Sequence, residues 1–169
     1  MKILVCISHV PDTTSKINFT NNNTEFDSNG ITYVINPYDE FGLTRAMVIK
    51  ETTGATVTVI NVGPASTETT LRKALAIGAD NAVRINAEPT DANYVARLLA
   101  NYAKDENFDL IITGRESIDF NGGIVPGMLA TYLDMPFVNA CIGLELNGNQ
   151  ATVIREIDGG KETLEGNLP

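Results

Sequence analysis

The segment best suited by residue type to hold a ligand is Gly114-Arg115-Glu116-Ser117-Ile118-Asp119-Phe120-Asn121-Gly122-Gly123, continued by Ile124 and Val125. Glycine lets a backbone approach an anion closely, and a helix that follows offers free N–H groups at its positive dipole end. The same composition also suits a plain β–α loop that needs glycine only for its turn. Asp119 could meet a ribose hydroxyl or a metal ion, or cap the next helix or an adjacent turn. His9 is the single histidine. It ends a strand, where it could touch a phosphate or stand in a loop without a role. Cys6 sits inside an apolar run and reads as a small core residue rather than a redox thiol.

Several kinds of chemistry lack their motifs. No GxGxxG follows the first strand, and no GxxxxGK[ST] occurs. A GxSxG elbow is missing, and a Ser-His-Asp device would have to rely on His9 alone. Cys6 and Cys141 form no CxxC or Cys/His spacing, so neither a disulfide scaffold nor a structural zinc site is supported, and a metal would need carboxylates. Nothing assembles a general acid–base pair with an orienting partner. The expectation is a protein that holds a ligand without turning it over.

The elements that would position these residues alternate. Ile3–Ile7 is a continuous apolar run that predicts a buried strand, ending in the turn sequence Val10-Pro11-Asp12. Residues 13–30, with Asn21-Asn22-Asn23 and Ser28-Asn29-Gly30, predict a hairpin or irregular insertion, and Ile31–Ile35 a short strand. Asn36-Pro37-Tyr38-Asp39-Glu40 opens a helix that Gly54 closes. Strands at 57–62, 82–85 and 110–113 then alternate with helices at 67–77, 91–104 and 128–133. That order predicts an α/β fold, a doubly wound parallel sheet with helices on both faces. After Pro136 the pattern changes to a β-hairpin, 141–146 and 150–157, turned at Asn147-Gly148. Asp158-Gly159-Gly160 reads as a further turn. The domain expectation is residues 1–169 as one α/β unit, with 140–169 as a hairpin and tail extension. The pattern stops mid-way at Asn167-Leu168-Pro169, as a truncated chain would.

In a doubly wound sheet, ligands sit beyond the carboxyl ends of the strands. Four segments should meet there: Cys6 to His9, Asn36 to Asp39, Val62-Gly63-Pro64, and Gly114 to Val125. Composition agrees with such a protein and excludes others. Hydrophobic residues are 43% and charged residues 20% of 169, which fits a packed core. The net charge of −9 opposes nucleic-acid binding. No apolar run approaches the ~20 residues of a membrane span, so no direct membrane insertion is expected, and the cytoplasm is the simplest location.

Five stretches, in order, resemble one family. Ile3-Leu4-Val5-Cys6-Ile7 with Val10-Pro11-Asp12 looks like the first strand of the β subunits of electron transfer flavoproteins. Asn36-Pro37-Tyr38-Asp39-Glu40 resembles that family's Asn-Pro-aromatic helix start, and Leu71 through Asp80 its next helix and exit. Gly114 to Asp119 is similar to its Gly-Lys-Gln-Ala-Ile-Asp loop. Val153 to Leu164, with Pro169 closing it, fits its C-terminal signature. The resemblance implies a Rossmann-like fold of the adenine-nucleotide α-hydrolase type and a heterodimer with an α subunit that carries most of the redox FAD. It implies a structural AMP in this chain, with a second FAD in its place in electron-bifurcating members. The implied nucleotide contacts are Cys6; Asn36, Pro37, Tyr38 and Asp39; Val62; and Gly114, Arg115, Glu116, Ser117, Ile118, Asp119, Phe120, Asn121, Gly122, Gly123, Ile124 and Val125. Acyl-CoA or other flavin dehydrogenases are the implied electron donors, and the hairpin and tail the implied heterodimer surface. The chain departs from the pattern at Gly123-Ile124-Val125, where many AMP-binding members carry Asn-Gln-Thr, and at Arg115-Glu116, where Lys-Gln is usual. Phosphate contacts would then shift to backbone N–H groups. The rival architecture is a stand-alone ATP-binding protein of the universal stress type. Its late Gly-rich loop runs into serine or threonine rather than Ile124-Val125-Pro126.

Overall fold

The computed structural model describes residues 1–169. Strand β1 (Lys2–Cys6) leads into β2 (His9–Pro11), and β3 (Phe19–Thr20) and β4 (Glu25–Phe26) form a small hairpin. Strand β5 (Tyr33–Ile35) then runs into helix α1 (Pro37–Thr53), followed by β6 (Thr56–Val62). A 3-10 turn at Ala65–Thr67 opens α2 (Glu68–Ile77), and β7 (Asn81–Ile85), α3 (Ala92–Ala103), β8 (Leu110–Thr113) and α4 (Val125–Leu133) complete the alternation. The chain ends in β9 (Cys141–Asn147), β10 (Gln150–Ile157) and β11 (Gly160–Asn167).

The main sheet is parallel, in the order β7-β6-β1-β8, with Val5 opposite Val59 on one side and Ile112 on the other. Successive side chains of β1 point to opposite faces, so one strand feeds two cores. Ile3, Val5, Val57 and Val59 pack under Leu43, Ala46 and Ile49 of α1 and Leu71 and Ala74 of α2. Leu4, Cys6, Ile60 and Val62 pack under Leu99, Ala100 and Ala103 of α3 and Leu129 of α4. The sheet is therefore doubly wound, as the alternation predicts. Because β6 lies on one side of β1 and β8 on the other, the chain reverses its winding at β1, and a crevice opens at that point beyond the carboxyl ends of β1 and β8.

Local chemistry accounts for the helix ends. Pro37 stands in the first turn of α1 with Asp39 and Glu40, which suits the positive end of the helix dipole. Gly54 closes α1 in the left-handed region (φ +71°), its N–H donating to Lys50 O. Asp91 caps α3 by accepting from the Tyr94 N–H at 2.8 Å. Helix α4 starts at Val125, earlier than residues 128–133, because Pro126 fits a first turn, where its missing N–H costs nothing.

Two further differences from the sequence reading stand out. His9–Pro11 is a strand, not a turn: it pairs antiparallel with Tyr33–Ile35, and Pro11 at its end has no ladder donor to lose. Asp12 alone makes the turn, accepting from the Thr14 N–H and Oγ1. The C-terminal extension is a three-stranded antiparallel sheet, order β11-β10-β9, because Gly159 (φ +81°) turns the chain back for a full eight-pair ladder. This sheet docks on the α1 side of the main core through Leu144 and Leu146, with Arg45 donating to Leu144 O. No helix is long and apolar enough to cross a membrane.

Candidate functional site

Two side chains from the start of α1 join the loops that leave β1 and β8. Asn36 is 1% exposed and occupies the N-cap position of α1, yet its side chain makes no cap bond. Its Nδ2 donates to Glu116 O at 2.8 Å, and its Oδ1 accepts from the Ile118 N–H at 3.1 Å. Its own N–H donates to Ser8 O at 3.0 Å. Asp39, 5% exposed, accepts from the Ser8 N–H at 2.7 Å and from the Gly114 N–H at 2.9 Å. Both carboxylate oxygens thus hold strand-end backbone donors, one on each side of the crevice. Burial pushes the Asp39 carboxyl up to about 6, although the bonds from Ser8, Asn36 and Gly114 pull the other way. Gly114 has to be glycine: a Cβ there would overlap Asp39 Oδ1 and lie 2.9 Å from the Asp39 backbone nitrogen.

Beyond Ile118 the loop turns outward and back. The Ser117 N–H donates to Gly122 O at 3.1 Å, closing it, while Asn121 adopts φ +56°. Phe120 is 76% exposed, and Arg115, Asp119, Asn121, Gly123 and Ile124 are exposed as well. The backbone N–H groups of Asn121, Gly122, Gly123 and Ile124 donate to no group of the chain. They form a run of open donors just before the first turn of α4, where the dipole also favours an anion. Ser117 Oγ is buried and has no partner. These are open polar atoms in the place where a phosphorylated ligand would need them, so the residues present fit an adenylate held largely by backbone.

The predicted residues divide accordingly. The structure brings Asn36, Asp39, Gly114, Glu116, Ser117 and Ile118 together, with Cys6 at the end of β1 beside them. Pro37 and Tyr38 line the rim on α1, Tyr38 being partly exposed. Val62 ends β6 at the same edge of the sheet, its side chain turned into the core under α3. Arg115 and Asp119 are exposed, and Arg115 lies 4.0 Å from Glu156 Oε2. Asp119 Oδ1 accepts only from the Phe120 N–H at 3.0 Å, a local turn rather than a cap on α4. Cys6 is buried, and desolvation raises the pKa of its thiol, which disfavours the thiolate. His9 is held away from the crevice: its ring stacks on Tyr33 at 4.3 Å and its Nδ1 bonds Thr70 Oγ1 at 2.7 Å. Burial and the nearby Lys73 lower its pKa.

Of two further participants, Ser8 was foreseen only as part of the Cys6 to His9 segment, and Asn61 escaped the sequence reading. Ser8 enters through its backbone N–H, which no residue type announces. Asn61 is a polar residue inside the buried run of β6, a signal that was legible. Its Nδ2 donates to Ile7 O at 2.9 Å, bridging the ends of β6 and β1, while its Oδ1 lacks a partner. A surface hollow of about 390 Å³ lies elsewhere, around Lys2, Asn81, Tyr102 and Phe108 at the amino ends of the strands. Its lysine, Lys2, is paired with Glu106 at 3.6 Å, and the open loop donors of residues 121–124 are not part of its lining.

Comparison with known proteins points to one family. The model of the electron transfer flavoprotein domain matches residues 24–168. The chain is similar to the electron transfer flavoprotein subunit beta of Bacillus subtilis (strain 168), at 37% identity over 173 residues covering all of this chain and 66% of that protein. It is 34% identical over 175 residues to the human electron transfer flavoprotein subunit beta, again over its whole length and 69% of the relative. The mitochondrial subunit beta of Oryza sativa subsp. japonica is 35% identical with the same coverage. The chain spans about two thirds of the length of these relatives.

Proposed function

The chain belongs to the electron transfer flavoprotein family, on the subunit-beta side, and from that premise we propose that its strand-end cradle holds an adenylate that is bound and never turned over. AMP is the first assignment. FAD, as in a bifurcating-type subunit, is the alternative. The protein acts as a carrier subunit in electron transfer and has no bond-making residues of its own. A flavin, held mostly by an α subunit, supplies the redox chemistry, and this chain contributes position and electrostatics. Acyl-CoA or other flavin dehydrogenases deliver the electrons.

One observation carries the assignment: the loops after β1 and β8 are stapled at the winding reversal by Asn36 and Asp39, beside the open donors of Asn121–Ile124 and the unpartnered Ser117 hydroxyl. The staple fixes the loop before any ligand arrives, which limits the ordering cost of binding. With no polar side chains at Gly123-Ile124-Val125, affinity for phosphate comes from main-chain N–H groups. Residues 1–169 act as one nucleotide-binding domain, and the β9–β11 sheet, with Ile142 and Ile157 exposed, faces the α subunit.

The test is to heat-denature the intact purified complex and identify what it releases. AMP supports the first assignment, and a second FAD beyond the one held mostly by the α subunit supports the alternative; a single FAD with no AMP refutes the cradle. Gly123→Leu adds a second arm. A Cβ at Gly123 lies 3.3 Å from Arg115 O and 3.8 Å from Glu116 Cβ, so a branched side chain crowds the loop from within and shifts its donors. Nucleotide content should fall in this variant, and unchanged occupancy would count against this loop as the binding element.

A further inference from the structure

An anion site needs converging N–H donors and a helix dipole behind them. The crevice between β1 and β8 has both. The Ser8 and Gly114 N–H groups converge from opposite sides at 2.7 and 2.9 Å, and the first turn of α1 lies beneath them. The position is already filled by Asp39, which forms no ion pair with any lysine or arginine. Its charge also acts on the buried Cys6 thiol, whose proton is held mainly by desolvation. Gly114, lacking a Cβ, is what lets the carboxylate in.

We infer that Asp39 is a specificity-determining residue of the cradle: its carboxylate takes the two strand-end N–H donors that would otherwise hold a phosphate. An adenylate therefore enters with its phosphate toward Asn121–Ile124. The inference rests on the adenylate assignment but adds to it a chemical reason for the ligand's direction. Like charge bars the phosphate from one end of the crevice, and unpaired donors receive it at the other. Because a buried carboxylate without a countercharge is costly, its retention here fits a role in selection.

The experiment uses the full-length chain purified with its partner subunit and stripped of nucleotide, as wild type, Asp39→Ala and Asp39→Asn. Thermal midpoints are read with added sodium formate and with inorganic phosphate at constant ionic strength. Each anion, at about five times its dissociation constant, should raise the Asp39→Ala midpoint by roughly 2–4 °C. Formate should not move wild type or Asp39→Asn, whose side chains still fill the position; a phosphate shift shared by all three proteins reports the open Asn121–Ile124 donors, so each Asp39→Ala rise is read as the excess over wild type. An Asp39→Ala protein indifferent to both anions overturns the inference. So does stabilisation by formate alone, since the donors then accept a carboxylate but never a phosphate. If Asp39→Ala does not fold, Asp39→Asn decides. Removal of the like charge should raise its AMP-to-adenosine affinity ratio about tenfold over wild type, and an unchanged ratio refutes the role. Failure of wild type to bind either adenylate sinks the assignment of the ligand, while the anion response of Asp39→Ala still decides whether the carboxylate occupies an anion site.

Discussion

Gly114→Ala is the sharpest test of the staple. The added methyl overlaps Asp39 Oδ1 and lies within 3.0 Å of backbone atoms of Tyr38 and Asp39. The carboxylate can swing away only by giving up its bonds from Ser8 and Gly114. A hydrogen bond to a charged group contributes about 1.5–3 kcal/mol, and overpacking against backbone adds about 1–3 kcal/mol. With one of the two bonds lost, the expected loss is about 3–6 kcal/mol. For a chain of this length each kcal/mol moves the midpoint by roughly 2–4 °C, so nucleotide-free protein should melt at least about 6 °C lower. Gly54→Ala is the control. It imposes a left-handed conformation (φ +71°) with nothing within 4 Å to clash, so it should cost about 1–2 kcal/mol. Urea denaturation should show a lowered midpoint with an unchanged m value. In an Asp39→Ala background the added cost of Gly114→Ala should shrink to about 1–2 kcal/mol, since the clashing carboxylate is gone. A Gly114→Ala loss no larger than that of Gly54→Ala would refute the reasoning.

Three other perturbations have defined outcomes. Because the Asp39 carboxyl titrates near 6 when folded and near 3.8 in a model peptide, its contribution to stability is greatest below about 3.8 and is lost as pH rises through about 6; the span is worth on the order of 3 kcal/mol. The midpoint of wild type minus that of Asp39→Asn should fall between about pH 4 and 6, and parallel curves would contradict the burial argument. Asn36→Ala removes both bonds to the β8 loop and should cost about 2 kcal/mol, with hydrogen exchange at the Ile118 amide accelerating. Asn36→Asp keeps the acceptor and should preserve that amide's protection. Asp91→Ala deletes the cap on α3 and should cost about 1 kcal/mol, read as a midpoint shift of roughly 2–4 °C.

Much of this fold was legible because apolar runs and punctuation agree along the main sheet. Ile3–Ile7, Pro37 with Gly54, and Asn147-Gly148 each state a local preference that tertiary packing reinforces. Legibility failed where partners decide. Gly160–Asn167 carries one large apolar residue, Leu164, and becomes a strand because β10 offers a ladder with Arg155 opposite Glu162 and Glu156 opposite Lys161. His9–Pro11 likewise depends on Tyr33–Ile35. At the candidate site, residue types identified the loop and the helix start, but not their division of labour. Asn36 holds a place where a cap is expected and bonds elsewhere, and Asp39 looks like an ordinary first-turn acid until the Ser8 and Gly114 donors are located in space.

The position of β1 has a consequence for synthesis. This strand leaves the ribosome well ahead of its second neighbour, β8, which begins at Leu110. At roughly 5–20 residues per second, an open row of amides and carbonyls next to Leu4 and Cys6 waits on the order of 5–20 s for its mate. Through that interval the nascent chain carries a sticky, half-finished centre, and it is then that another nascent strand, or a chaperone, has its best opportunity to engage it.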